Sequence, residues 1–218
     1  MKRPYVIING AMSADGKSAL PSGKQLRISC EEDLARMYQL RHECDAVLVG
    51  IGTILSDDPK LTVKETYVKH PRQPLRVVLD SKGRTPSHAL VLNTAARTLL
   101  LTAPGYEKKY PGGHIEVLPC KTDEKKLLDL KQILEILSNK GIKKVLVEGG
   151  GTVIWNFLQQ QLVDDIFFYI GPCVVGGKKT PTIVMGEGIR KEDEVIPLKL
   201  TEIKPLGPGI LLHYVPLR

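Results

Sequence analysis

Short β-branched and leucine-rich runs alternate along this chain with stretches whose apolar residues recur at helical spacing. Strand-like runs lie at Tyr5–Ile8, Ala46–Val49, Leu75–Leu79, Thr98–Leu101, Ile115–Leu118, Lys144–Val147 and Ile166–Ile170. Several are continuous apolar blocks, the pattern of strands buried on both faces. Three helices are predicted between them. The first opens at Ser29, whose hydroxyl can cap while Glu32 closes a capping box, and it presents Leu34, Met37 and Tyr38 to the core. The second runs from about Asp123 to Asn139, with Leu127, Leu130, Leu134 and Leu137 on one stripe and Gly141 just beyond its end. The third opens at Gly150 to Thr152 and carries Ile154, Phe157 and Leu158.

This alternation predicts an α/β fold with a mainly parallel sheet and flanking helices. The last fifth of the chain differs. Leu198–Ile203 and Ile210–Val215 read as strands separated by Gly/Pro turns, so antiparallel strands should finish one edge. Pro104 to Gly113 reads as a surface excursion, and no linker divides the chain, so residues 1–218 are expected to form a single domain.

Composition narrows the class. The chain has 218 residues, 42% hydrophobic and 25% charged, which is globular usage and excludes collagen-like and disordered readings. No apolar stretch approaches the roughly 20 residues a bilayer demands, and the four apolar residues from Tyr5 are too few for a signal peptide. Cys30, Cys44, Cys120 and Cys173 form no C-x-x-C pair and read as reduced thiols of a cytoplasmic protein. The net charge of +7 signals an anionic partner or merely a soluble surface. Nucleic acid is disfavoured because the cations are scattered and aromatics are only 5%. A small phosphorylated ligand explains the charge equally well.

Two glycine-rich turns follow buried strands. Gly50-Ile51-Gly52 begins like a dinucleotide fingerprint, but Leu55 stands where the third glycine belongs. Gly149-Gly150-Gly151-Thr152 opens a helix at a strand end, where backbone N–H groups can approach a pyrophosphate. Glu148, just before that turn, is either an acid–base group or a structural cap or ion pair. Arg41 returns to the apolar face of the first helix, where it either snorkels or meets an anion in a cleft. Lys17 lies in a turn after the first strand, as a solvated charge or a site residue. Ser81-Lys82-Gly83-Arg84 leaves a strand with a hydroxyl and two cations, able to seat a 2′-phosphate or forming an ordinary basic loop. His114-Ile115-Glu116 with Pro119-Cys120 imitates a zinc deaminase signature, but position 123 is Asp, so no metal is expected.

Taken in order, five motifs resemble one family. They are Met12-Ser-Ala-Asp-Gly-Lys17, Gly50-x-Gly-Thr53-x-x-x-Asp57-Asp58-Pro59-x-Leu61-Thr62, Val78-Leu-Asp80-Ser81, Glu148-Gly-Gly-Gly151-Thr152, and Leu162-Val-Asp-Asp165 leading to Tyr169-Ile-Gly-Pro172 and Gly176-Gly177. Together they resemble the riboflavin-biosynthesis reductases, both the stand-alone archaeal branch acting on 2,5-diamino-6-ribosylamino-4(3H)-pyrimidinone 5′-phosphate and the C-terminal half of the bacterial bifunctional deaminase–reductase. The resemblance implies a dihydrofolate-reductase-like fold, NADPH as cofactor, a homodimer, and reduction of a ribosylamino side chain to ribitylamino. It implies cofactor contacts for Arg27, Thr53, Asp57, Ser81, Gly150, Gly151 and Thr152. Substrate contacts fall to Arg41, Leu61, Lys64 and Glu148, with Lys64 where a cation can hold the substrate phosphate. Lys17 and Glu148 are implied as the polarising and proton-transfer groups. Gln25 departs from the Ser of bacterial relatives. With no deaminase motif in the chain, the diamino compound is the expected substrate. The deaminated 5-amino-6-(5-phosphoribosylamino)uracil, or the substrate of another dihydrofolate-reductase-like NADPH enzyme, stands as the alternative.

Overall fold

The structure is a computed structural model and describes residues 3–217. Met1, Lys2 and Arg218 lie outside the described residues. Among the described residues nine strands are formed: β1 (Tyr5–Ser13), β2 (Ala46–Gly50), β3 (Leu75–Leu79), β4 (Thr98–Thr102), β5 (Ile115–Pro119), β6 (Lys144–Gly149), β7 (Asp165–Gly171), β8 (Leu198–Leu206) and β9 (Gly209–Pro216). Four α-helices accompany them: α1 (Glu31–Glu43), α2 (Ile51–Asp57), α3 (Leu130–Asn139) and α4 (Gly151–Gln159). The strand order is β5-β4-β3-β2-β6-β1-β7-β9-β8.

The chain resolves into two compact units. The first takes Tyr38–Leu146 with the N-terminal residues up to Tyr5; the second takes Val6–Met37 and Val147 onward. In the first unit β2, β3, β4 and β5 pair in parallel. Every residue of β2 and β4 is buried, which accounts for their unbroken apolar sequences. One charged residue interrupts the pattern. Arg76 on β3 is fully buried, and its guanidinium donates to Thr98 Oγ1 at 3.0 Å, Asn93 Oδ1 at 2.8 Å and the carbonyls of Lys60, Asn93 and Ala96. All these acceptors are neutral, and burial draws its pKa down to about 10.

In the second unit β1 and β7 are parallel, while β9 runs antiparallel to β7 and to β8. The predicted antiparallel finish is therefore present. β7 is an interior strand with Phe168 and Tyr169 buried, whereas edge strand β8 carries exposed apolar residues. There Leu198, Leu200 and Ile203 are exposed, Ile203 at 60%.

Three helix readings need correction. Helix α1 begins at Glu31, and the Ser29 hydroxyl donates to Asp33 Oδ2 at 2.6 Å instead of capping, because a buried carboxylate is the stronger acceptor. Its buried face is Asp33, Tyr38 and Arg41, with Leu34 and Met37 only half-buried. Helix α3 starts seven residues later than predicted. Asp123 accepts the Leu127 N–H and closes a turn, and the side chain of Asp129 caps Lys131 and Gln132, which leaves Leu127 outside the helix. Residues 51–57, read only as a glycine-rich turn, form α2, ended by Asp58 in the left-handed region.

Candidate active site

In the first unit the site residues fall into three groups at the ends of parallel strands or beside them. Thr53 and Asp57 are four residues apart on α2 and so share one helix face. Both are half-buried, and burial raises the Asp57 pKa against a lowering bond from Ser56. Helix α2 is placed by β2, which delivers Gly50 as a cap with no side chain.

Arg41, Leu61 and Lys64 are brought together around Tyr38. Arg41 is buried, donates from Nη1 to the Thr62 carbonyl at 2.9 Å, and stands 5.4 Å from the centroid of the Tyr38 ring. Lys64 Nζ lies at the same distance from that ring, and Tyr38 stacks on Tyr67 with centroids 4.6 Å apart. Arg41 therefore does not snorkel. Two cations on one aromatic stack make a positive patch suited to an anion. The stack itself was not foreseen, although Tyr38 stood on the predicted apolar face of α1; nothing in the sequence pointed to Tyr67.

Ser81 begins the turn after β3. Asp80, 1% exposed, organises that turn: its Oδ2 accepts both the backbone N–H (2.7 Å) and the hydroxyl (2.8 Å) of Thr85. Its Oδ1 faces Arg84 Nε at 3.7 Å, and the Arg84 side chain remains 49% exposed. A half-exposed guanidinium tethered at Nε keeps its outer nitrogens available to a ligand.

In the second unit Glu148 is the penultimate residue of β6, half-buried, two residues before Gly150 caps α4. The cap has no side-chain acceptor, and no acidic residue occupies the first turn. The N–H groups of Gly151 and Thr152 are those an α-helix does not use internally, and the helix dipole adds positive potential there. A pyrophosphate fits such a terminus.

Lys17 lies in a turn closed by Ser13 N–H to Lys17 O (2.8 Å) and Lys17 N–H to Ser13 Oγ (2.9 Å). Asp15 secures this turn to residues 173–177. It accepts from the Ser13 hydroxyl (2.6 Å) and the N–H groups of Val175 (3.0 Å) and Gly176 (2.7 Å), and these bonds hold its pKa down at about 2. Segment 181–186 links the two halves of this group. It bridges Lys17 through Thr182 and meets Gly151 through Met185 N–H, which donates to Gly151 O at 3.1 Å. Arg27 stands apart on the surface, 3.6 Å from Glu31.

The residues of the deaminase-like signature have other partners. His114 Nε2 bonds to Leu92 O at 2.9 Å, Glu116 pairs with Lys140 at 2.7 Å, and Cys120 is buried, which pushes its thiol pKa up to about 11. Among the described residues all four cysteines are free thiols.

A model of the RibD C-terminal domain matches residues 4–212. A 2,5-diamino-6-ribosylamino-4(3H)-pyrimidinone 5′-phosphate reductase from Archaeoglobus fulgidus is 42% identical over 95% of this chain and 95% of its own length. A solved structure, the deaminase/5-amino-6-(5-phosphoribosylamino)uracil reductase of Thermotoga maritima, matches with TM-score 0.82 and 28% identity; the match covers 99% of this chain but 57% of that longer one. Dihydrofolate reductase from Enterococcus faecalis, at TM-score 0.53 and 13% identity, shares the fold. The chain belongs to the RibD C-terminal domain family.

Proposed function

We propose that this chain reduces the ribosylamino side chain of 2,5-diamino-6-ribosylamino-4(3H)-pyrimidinone 5′-phosphate to ribitylamino, using NADPH, as a single cytoplasmic reductase domain that forms a homodimer. The observation that carries the reading is near-full-length similarity to an archaeal reductase named for that substrate. The positive patch of Arg41 and Lys64 on Tyr38 supports a phosphorylated, ring-bearing substrate.

NADPH supplies the hydride when bound. The bare glycine cap of α4 would take its pyrophosphate, and Thr53, Asp57 and Ser81 would hold the rest, with Arg84 and Lys82 as cations for the 2′-phosphate. Lys64 and Arg41 hold the substrate phosphate. Opening of the ribose ring needs a proton moved to its ring oxygen and later stabilisation of the open form, and Glu148 and Lys17 are the groups we assign to this. Arg27, exposed and paired with Glu31, is assigned a peripheral cofactor contact.

The test is NADPH oxidation followed spectrophotometrically with the diamino and the amino-oxo ribosyl phosphates. The exocyclic amine donates where the carbonyl accepts, and leaving one buried group unpaired costs about 1–3 kcal/mol. A roughly 5- to 150-fold higher kcat/KM for the diamino compound is expected on that basis. A higher value for the oxo form would assign the substrate of the alternative reading, and no turnover of either would overturn the reductase assignment.

A further inference from the structure

We propose that Gln73 is a positioning residue that sets the place of the Lys64 ammonium, and through it recognition of the substrate phosphate. The inference rests on the reading of Lys64 given above. Residues 59–64 have no regular secondary structure, yet Leu61 and Val63 are only 2% and 4% exposed. Buried backbone groups must find partners, and a segment outside any ladder must borrow them from side chains. Three side chains supply them here. Arg76 Nη1 donates to Lys60 O at 3.3 Å, Arg41 Nη1 to Thr62 O at 2.9 Å, and Gln73 takes both polar groups of Val63. Its Oε1 accepts the Val63 N–H at 2.8 Å and its Nε2 donates to the Val63 carbonyl at 2.9 Å. A primary amide carries one acceptor and a donor side by side, so Gln73 stands in for the missing strand.

Leu61 shows how firmly the segment is held. Its φ of +50° is unfavourable for a residue with a Cβ, and such a conformation persists only where the surroundings impose it. Lys64 follows Val63 directly. Its own carbonyl accepts the N–H groups of Tyr67 (3.1 Å) and Val68 (3.2 Å), so the backbone is pinned on both sides of a side chain that reaches over Tyr38. Arg41 and Arg76 also serve other contacts; among the described residues both hydrogen bonds of the Gln73 side chain go to Val63. Neither bond goes to a group assigned to substrate or cofactor, so Gln73 acts through Lys64.

The experiment is a cycle of Gln73→Ala, Lys64→Ala and the double variant, with Arg72→Ala as control. Arg72 adjoins Gln73 but bonds to Asp45 and the Glu43 and His42 carbonyls, away from residues 59–64. Small displacements of a positioned group are costly, so Gln73→Ala is expected to raise the substrate KM about tenfold, with kcat and the NADPH KM changed less than about twofold. In the Lys64→Ala background the same change should add little, because residues acting through one another are not additive. Gln73→Glu keeps the size and the acceptor for Val63 N–H but loses the donor, and should raise the substrate KM in the same direction even if the alanine variant does not fold. Arg72→Ala should leave the substrate KM unchanged. An unchanged KM in Gln73→Glu and Gln73→Ala, independent effects in the cycle, or an equal KM rise in Arg72→Ala would each overturn the proposal. An unchanged KM in Lys64→Ala would overturn the reading of Lys64 itself, and the Gln73 proposal with it.

Discussion

Met185 is seated on Gly151: besides their backbone bond, a Cβ added to Gly151 would lie 2.7 Å from Met185 Cγ and 3.0 Å from its backbone nitrogen. The side chain can swing away, but the backbone cannot without moving segment 181–186. Gly151→Ala should therefore weaken NADPH binding by about tenfold or more, since donors at a helix terminus act only at hydrogen-bond distance. Fluorescence titration of NADPH measures this, and wild-type affinity would show that the segment yields freely.

Glu148→Gln keeps the size of the side chain and removes its capacity to move a proton. Loss of a positioned acid–base group typically lowers the rate about 10²- to 10⁴-fold. NADPH affinity should be retained, because the glycine backbone and not the carboxylate is assigned to the pyrophosphate. Single-turnover rates alongside the titration decide it; a variant with near-normal kcat would make Glu148 a structural group.

The Asp15 carboxyl has its pKa depressed from 3.8 to about 2 in the folded protein by Ser13 and the Val175 and Gly176 amides. A depressed carboxylate contributes stability that is fully present above its unfolded pKa and disappears as pH falls through the folded one. Asp15→Asn should then be less stable than wild type at neutral pH, and the gap should close between about pH 4 and pH 2. Thermal melts across that range test the sign, and a pH-independent gap would contradict it.

Arg84, tethered at 3.7 Å to Asp80, is one of the two cations assigned above to a 2′-phosphate. Charge-assisted bonds contribute about 1.5–3 kcal/mol, so wild type should prefer NADPH over NADH by roughly tenfold or more, and Arg84→Ala should remove most of that preference. The ratio of kcat/KM values for the two cofactors is the measurement. Equal ratios in wild type and variant would move the selectivity elsewhere.

Edge strand β8 exposes Leu198, Leu200 and Ile203 with Ile210 of β9 beside it. A long edge carrying apolar residues invites pairing, and a two-fold partner is the commonest way to cover it. Light scattering should give about twice the 24.1 kDa chain mass, and Leu200→Glu with Ile203→Glu should return it to that of one chain. A wild-type mass near 24.1 kDa would reject the dimer.

The parallel strands were legible because residues buried on both faces leave an unbroken apolar run, as in β2 and β4. Helix α4 was legible because its stripe and its glycine opening coincide. Helix α2 was not: seven residues with Gly52 inside carry too little periodicity, and its shape depends on the cap from Gly50 and the turn at Asp58. The first turns of the predicted second helix failed for a related reason, since Asp123 and Asp129 each bond to backbone N–H groups and compete with helix formation.

The candidate site divides along the same line. Amino-acid types and their order picked out the candidate residues, because motifs such as Glu148-Gly-Gly-Gly-Thr152 place a carboxylate and bare N–H groups through local backbone alone. What lies against them was decided only by tertiary structure. Tyr38 reaches Tyr67 across 29 positions, Asp15 reaches Val175 across 160, and Gln73 reaches back to Val63 across ten residues of irregular chain. Local sequence holds no period or spacing for such pairs. The Asp15 and Gln73 pairs exist because a buried or anchored polar group must be satisfied by whatever the folded chain brings within hydrogen-bond reach, and the Tyr38–Tyr67 stack because two rings bury their faces against each other.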